Sequence, residues 1–170
     1  LDAWDTLKEE GTRRVMPLTV PMLMPNAPAA AIGMEFKARA VVQTVVSACA
    51  SSTESLGQAF EMIRSGKADV VISGGAEAAV HPITLSAFSS MRALSRRTDS
   101  PETASRPFDV DRDGFVMGEG GATLVLESRE HAEARGATIY AEVAGWGTSN
   151  DSYHITAGKP EGAGSIRAMR

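Results

Sequence analysis

The chain has 170 residues and a formal net charge of −4, with 43% hydrophobic and 22% charged residues. This composition is normal for one soluble globular domain and does not indicate nucleic acid binding. Cys49 is the only cysteine, which excludes an intrachain disulfide framework and a cysteine-rich zinc site. No apolar run reaches the roughly 18 residues of a membrane span, and no signal peptide opens the chain. We therefore expect a cytoplasmic protein with no membrane partner. Because position 1 is not Met, we also expect a fragment of a longer protein.

Apolar periodicity and turn residues predict an alternation of helices and strands along the chain. The predicted helices cover 1–10, 27–36, 52–65, 83–94 and 128–135, and the predicted strands cover 41–47, 69–73, 122–126 and 139–145. The succession of strand, helix and strand within 41–73 is a predicted βαβ unit, which indicates a parallel sheet. The polar segment 95–113 is too long for a simple turn, and we expect a functional or covering loop anchored by Phe108 and Phe115.

Cys49 lies in the small-residue stretch 47–51 (Ser-Ala-Cys-Ala-Ser), between a predicted strand and a predicted helix. Ser51 and Glu54 have the spacing of a capping box, and Gly66 is placed to end the helix. The partial positive charge at a helix N-terminus stabilises a thiolate, and neighbouring backbone N–H groups could hold a developing oxyanion. From the residues alone two interpretations stay open for this thiol: a buried small hydrophobic side chain, or a catalytic nucleophile.

The three histidines do not form a recognisable site in the sequence. His81 precedes a proline in a predicted loop, and His131 lies on a predicted exposed helix. His154 lies in a loop and is the most site-like of the three, although a loop histidine is more often structural or solvated. Their separations match no metal-binding motif, so we expect no metal site and no cofactor.

Five stretches of the chain match a known family in order and in spacing: 46–51 (VSACAS), 68–77 (ADVVISGGAE), 105–109 (SRPFD), 112–120 (RDGFVMGEG) and 130–137 (EHAEARGA). With them, the chain resembles a β-ketoacyl-[acyl-carrier-protein] synthase of the elongating type, in the thiolase superfamily. The Pro- and Met-rich stretch 21–28 and the serine at position 47 resemble the actinobacterial branch most.

The resemblance implies an α/β protein with the layered αβαβα thiolase fold, present here incompletely. Residues 1–138 would form the later part of the N-terminal ketosynthase half, and residues 139–170 the start of the C-terminal half. Family members are homodimers in which the strand before the cysteine pairs across the dimer axis. The resemblance therefore implies a homodimer.

The resemblance also implies an activity, that of an acyltransferase in fatty-acid elongation. The cysteine of such an enzyme takes an acyl group from acyl carrier protein, malonyl-carrier protein loses CO2, and the resulting carbanion attacks the thioester. By this resemblance Cys49 is the acyl acceptor. Three residues match positions near the acyl pocket: Ala48, Phe88 and Phe115. Three basic residues match positions that face the acidic carrier protein: Arg13, Arg14 and Arg92.

The chain departs from the family pattern in one respect. The two catalytic histidines and the lysine of the family belong to H-G-T and G-H-T type motifs, and neither motif occurs in these 170 residues. His81, His131 and His154 do not match those motifs, so the resemblance implies that this stretch alone is inactive in condensation.

Several alternatives remain beside fatty-acid elongation. The chain could belong to a ketosynthase of polyketide assembly or to a thiolase-like acyltransferase. A non-catalytic subunit of the chain-length-factor type is disfavoured by Cys49, because such subunits usually carry glutamine there. A cysteine hydrolase would need a histidine base near Cys49, and no motif supplies one.

Overall fold

A computed structural model describes residues 2–170, so Leu1 of the predicted first helix lies outside the described residues. The chain divides into two compact units, one formed by residues up to Val71 together with Leu126–Arg170, and the other by Ile72–Val125. The helices are α1 (Asp2–Glu10), α2 (Thr19–Leu23), α3 (Ala27–Glu35), α4 (Ser51–Arg64), α5 (Pro82–Ser90), α6 (Arg129–Ala134) and α7 (Ala163–Met169). The strands are β1 (Val70–Glu77) and β2 (Gly120–Glu127).

Helix α4 is the longest element of the first unit and forms where the apolar periodicity predicts it. Gly57 and Ala59 are its buried residues. The helix ends in a Schellman motif, in which Gly66 has φ +69° and donates to the Ile63 carbonyl at 3.0 Å. The Lys67 N–H donates to the Met62 carbonyl at 2.9 Å and completes the motif. The predicted stop at Gly66 is therefore confirmed.

Strands β1 and β2 pair with each other, and most of their residues belong to the second unit. Gly74 lies against Ala122 and Gly121 lies against Ala76, so the two strands run antiparallel. The parallel pairing predicted for the βαβ unit, between 41–47 and 69–73, does not form among residues 2–170, because 41–47 joins no ladder there and the one sheet found is the antiparallel pair of β1 and β2. Chain order alone does not fix strand direction, because a loop of any length can return a strand antiparallel to its neighbour.

The loop 95–113 belongs to the second unit and is anchored at its ends. The Asp113 carboxylate accepts hydrogen bonds from the Ser95 hydroxyl at 2.6 Å and from the Arg96 N–H at 2.9 Å, which lower the pKa of this carboxyl. Phe115 forms a parallel bridge with Leu94 at the end of the loop, as expected of an anchor. Phe108 is 99% exposed, so the prediction that it anchors the loop is wrong.

Two predicted strands are not strands in the described part of the chain. Segments 41–47 and 139–145 both have strand-like composition, yet neither forms a β-ladder with another described segment. A strand requires a neighbour that accepts and donates its backbone hydrogen bonds, and composition cannot supply that neighbour. These two predictions are therefore wrong for the structure as described.

Candidate active site at Cys49

Cys49 lies on a single 3-10 turn, Ala48–Ala50, which leads directly into α4. The thiol is free and exposed, and this excludes the interpretation of Cys49 as a buried small hydrophobic residue. The cysteine therefore has the two properties that a nucleophile needs, namely access and a position at the start of a helix of 14 residues.

The backbone of the turn is strained at Ala48, which has a φ of +52°. Such a φ is uncommon for a residue with a Cβ and costs of the order of 1–3 kcal/mol. Ala50 N–H donates to the Ser47 carbonyl at 3.1 Å, which closes the turn around the cysteine. The strained residue thus immediately precedes Cys49, so its backbone conformation affects the orientation of the cysteine.

The predicted capping box at the start of α4 does not form. The residue before the helix is Ala50, and no side chain caps it. The Ser51 hydroxyl accepts a hydrogen bond from the Ser47 N–H at 2.8 Å and donates to the Ala48 carbonyl at 2.7 Å. Glu54 accepts from the Thr148 hydroxyl at 3.2 Å. The box is lost because both of its side chains bond groups outside the first turn of the helix.

The Cys49 N–H has no acceptor among the described residues. It lies beside the thiol and next to the positive end of α4. In this arrangement a carbonyl carbon attacked by Cys49 Sγ would develop its negative oxygen near a donor and a favourable dipole. An exposed thiol beside a backbone N–H and a helix N-terminus can support nucleophilic attack on a carbonyl group.

The other predicted site residues divide between the two units. Ala48 adjoins Cys49 in the first unit. Phe88 and Phe115 belong to the second unit, where their rings meet edge to face with centroids 5.0 Å apart and planes at 83°. The structure therefore brings Ala48 to Cys49 and Phe88 to Phe115.

The predicted carrier-protein residues are exposed. Arg13 and Arg14 form part of a 3-10 turn in the first unit, and no described carboxylate lies within ion-pair distance of either. Arg92 follows α5 in the second unit with a φ of +57°. All three side chains are thus accessible to a partner.

Each histidine forms hydrogen bonds with residues close to it in the sequence. His81 caps α5 by accepting from the Ile83 N–H, and His154 Nδ1 accepts from the N–H groups of Thr156 and Ala157, both at 3.1 Å. His131 Nδ1 donates to Glu127 at 2.5 Å.

Residues 2–170 contain no group of three or more potential metal ligands. None of the helices described in that range is long and apolar enough to cross a membrane.

The contacts of Trp146 with α4 were not predicted from the sequence. Trp146 lies on the helix at Gly57, where an added Cβ would come within 2.2 Å of the indole ring. The Trp146 Nε1–H donates to Glu61 at 3.2 Å. Gly57 is the residue that could have indicated them, because a glycine inside a helical pattern often marks a place where another group packs closely against the helix. Its partner is distant in sequence, so no local pattern could identify it.

Comparisons with known proteins define the class. The structure matches a type II PKS ketosynthase, solved in complex with its acyl-carrier protein and bound to the hexaketide, with a TM-score of 0.88 and 34% identity. That match covers 93% of this chain and 39% of the other. A β-ketoacyl synthase from Burkholderia phymatum STM815 matches with a TM-score of 0.81 and 40% identity, over 93% of this chain and 39% of that one. The chain thus has an incomplete thiolase-like α/β ketosynthase fold, as the resemblance implied.

Sequence comparisons give the family. Residues 2–132 match the family described as the β-ketoacyl synthase N-terminal domain. The 3-oxoacyl-[acyl-carrier-protein] synthase 2 of Staphylococcus aureus is 49% identical over 164 residues, which are 96% of this chain and 40% of that protein. The chain belongs to the β-ketoacyl synthase family, and it spans about 40% of the length of the curated relatives that it matches.

Proposed function

We propose that this chain is the nucleophile-bearing part of a β-ketoacyl-[acyl-carrier-protein] synthase of fatty-acid elongation. The observation that carries the proposal is the exposed Cys49 on a strained turn at the start of α4, with its own N–H unbonded to the described residues. The 49% identity to a 3-oxoacyl-[acyl-carrier-protein] synthase 2 supports the same reaction.

The proposed reaction has two stages. The Cys49 thiolate attacks the carbonyl carbon of an acyl thioester, the bond from that carbon to the carrier sulfur breaks, and the carrier leaves as a thiolate, which takes up the proton that the Cys49 thiol had lost. In the second stage a malonyl thioester loses CO2, its α-carbon forms a bond to the acyl carbon, and the Cys49 thiolate is released. The Cys49 N–H stabilises the oxyanion that forms in each attack.

The acyl chain would lie among apolar side chains. We assign this role to Ala48, Phe88 and Phe115, of which Ala48 adjoins the nucleophile and the two phenylalanines form one edge-to-face pair. An aromatic pair of this kind is a rigid apolar wall, which suits an acyl chain. Phe115 is 44% exposed, so part of its ring is free to contact a ligand.

The donor of the acyl group would be acyl carrier protein, with Arg13, Arg14 and Arg92 in contact with it. The solved complex of a ketosynthase with its acyl-carrier protein supports this partner. Exposed arginines on a protein with a net charge of −4 would attract an acidic partner locally and raise its association rate.

Charge reversal tests the carrier-protein surface. The double variant Arg13→Glu/Arg14→Glu should bind acyl carrier protein more weakly than the wild type at low salt. The difference should shrink as ionic strength passes about 0.1 M, where the Debye length is about 10 Å. The matched control is Lys8→Glu, because Lys8 lies in an ion pair with Asp5 on α1. Equal affinities of the double variant and the wild type at low salt would contradict the assignment.

We also propose that the protein is a cytoplasmic homodimer. The segment before Cys49 supports the dimer, because Val41, Val42 and Val46 are exposed on it and Val46 reaches 73%. Exposed apolar runs with strand composition are typical of interfaces between chains. The division into an N-terminal part up to 138 and a C-terminal part from 139 stays a prediction.

A condensation assay tests the proposed function. The full-length protein that carries this chain, incubated with acyl- and malonyl-carrier protein, should release CO2 and a β-ketoacyl product two carbons longer than the acyl primer. Cys49→Ala should lower the rate about 10³-fold or more. Repeated extension without reduction would favour the polyketide alternative, and no turnover together with an unreactive Cys49 would favour the non-catalytic one.

A further inference from the structure

The Ser51 hydroxyl spans the residues that precede Cys49. It accepts from the Ser47 N–H at 2.8 Å and donates to the Ala48 carbonyl at 2.7 Å. A side chain that follows Cys49 in the sequence therefore bonds two backbone groups that precede it. Both distances are those of well-formed hydrogen bonds. The neighbouring Ser52 is exposed and makes no such bonds to the described residues.

The bond to Ala48 has a consequence for Cys49 through the peptide that joins them. The Ala48 carbonyl and the Cys49 N–H belong to one planar peptide group, and no described peptide bond is cis. In a trans peptide the C=O and the N–H point in opposite directions. A hydrogen bond that fixes the Ala48 carbonyl therefore also fixes the direction of the Cys49 N–H.

The strain at Ala48 explains why this restraint is needed. A φ of +52° is unfavourable for alanine, so the turn would relax towards negative φ if nothing held it. Relaxation would rotate the peptide between Ala48 and Cys49 and turn the N–H away from the developing oxyanion. Ser51 also holds the other end of the turn through the Ser47 N–H.

We propose that Ser51 is a positioning residue, which orients the Cys49 N–H for acyl transfer by fixing the Ala48 carbonyl. This inference rests on the proposed function, in which the N–H donates to the oxyanion. Ser51 does not contact the acyl group, and it acts through the peptide before the nucleophile.

The test compares Ser51→Ala with Ser51→Thr and Ser52→Ala in the full-length protein. Ser51→Ala should lower the rate of acyl transfer from acyl-carrier protein to Cys49 by about 10- to 100-fold. Alkylation of Cys49 by iodoacetamide, which needs the thiolate but no oxyanion donor, should change by less than about 3-fold. Ser51→Thr retains a hydroxyl and should recover most of the transfer rate, and Ser52→Ala should match the wild type. Because Cys49 is the only cysteine of this chain, peptide mapping assigns the label to it.

Hydrogen exchange of the Ser47 amide gives a readout that does not depend on the reaction. Loss of its acceptor in Ser51→Ala should speed exchange by about 10-fold or more. Unchanged acyl transfer or unchanged Ser47 exchange in Ser51→Ala would overturn the proposal, as would equal losses of transfer and alkylation. Faster exchange at Ser47 in a protein whose wild type accepts no acyl group would contradict the proposed function and confirm the restraint alone.

Discussion

Helices α4 and α6 end in the same way and begin differently. Gly66 and Gly136 both have positive φ and complete Schellman motifs after their helices. Ser128 lies before α6, and its hydroxyl caps the helix by accepting from the His131 N–H at 3.2 Å. Ser51 is already inside α4, and its hydroxyl bonds the preceding turn. The difference shows that a serine at a helix start can stabilise either the helix, as Ser128 does, or the chain before it, as Ser51 does for the turn that contains Cys49.

The two helices also differ in what holds them. The 14-residue α4 is covered by the Trp146 ring at Gly57. The six-residue α6 is too short to be stable from intrinsic propensity, and a charge cluster supports it. Glu127, whose side chain is 10% exposed, accepts from Arg135 and from His131. One helix therefore depends on close packing and the other on charge.

The largest effect on stability is expected from Gly57→Ala. An alanine would gain about 1 kcal/mol in helix propensity. Its Cβ would nevertheless lie 2.2 Å from the Trp146 ring, and overpacking of this kind costs about 1–3 kcal/mol. We expect the clash to outweigh the gain and lower the free energy of unfolding, measured in urea.

The same substitution in a protein that lacks the Trp146 ring separates the effect of the clash from other effects of Gly57→Ala. In Trp146→Ala the ring is removed, so Gly57→Ala should become neutral or stabilising there. Gly145→Ala is the matched control, because a Cβ at Gly145 would meet nothing within 4 Å. If Gly57→Ala changes the free energy of unfolding equally with and without the Trp146 ring, the ring does not pack against α4 at Gly57.

Glu127→Gln tests the charge cluster of α6. The hydrogen bonds from Arg135 and His131 hold the pKa of the Glu127 carboxyl at about 2, below its ordinary value of 4.5. Because the folded state binds the proton less tightly, this carboxylate stabilises the protein above about pH 4.5, and the contribution is lost as the pH falls from there towards 2. The wild type should therefore melt several degrees above the variant at pH 7, and the difference should narrow below about pH 4.5.

Glu133→Gln is the control on the same helix. Glu133 lies 3.9 Å from Arg129, and both side chains are more than half exposed, so the pair should contribute little. A difference between wild type and Glu127→Gln that stays constant from pH 7 to pH 3 would contradict the account of α6.

The smallest effect is expected from Ser128→Ala. Loss of an N-cap side chain lowers the free energy of unfolding by about 1 kcal/mol. Acyl transfer should be unchanged, because this serine supports α6 and not the turn at Cys49. Ser51→Ala should show the opposite pattern, with a larger loss of transfer for a comparable loss of stability. Equal effects of the two substitutions on transfer would remove the distinction between the two serines.

Five of the seven helices described among residues 2–170 were predicted from the sequence, because their signals are local, whereas α2 and α7 were not. Apolar spacing predicted 52–65 against the observed Ser51–Arg64, and Gly66 ends the helix as expected. The capping box was predicted wrongly because spacing shows which side chains could bond a helix end, and not which competing partners they have. Ser51 had the turn at Ala48 as a competitor, and that turn depends on a positive φ that alanine rarely adopts.

The strands were harder to predict because their partners are distant. Segments 41–47 and 139–145 have strand composition without a ladder in the described residues. β1 and β2 pair across more than forty residues, in a direction that composition does not encode. For the site, the sequence predicted that Cys49 lies at the start of a helix, but not the strain at Ala48 or the two hydrogen bonds of Ser51 to the preceding turn.

Peptide mapping after a single turnover would show whether Cys49 accepts the acyl group, as we propose. The full-length protein is incubated with acyl carrier protein that carries a fatty acyl chain, digested at low pH, and analysed by mass spectrometry. We expect one acyl adduct, on the peptide that contains Cys49, and none in Cys49→Ala. An adduct on another residue, or undiminished transfer in Cys49→Ala, would contradict it.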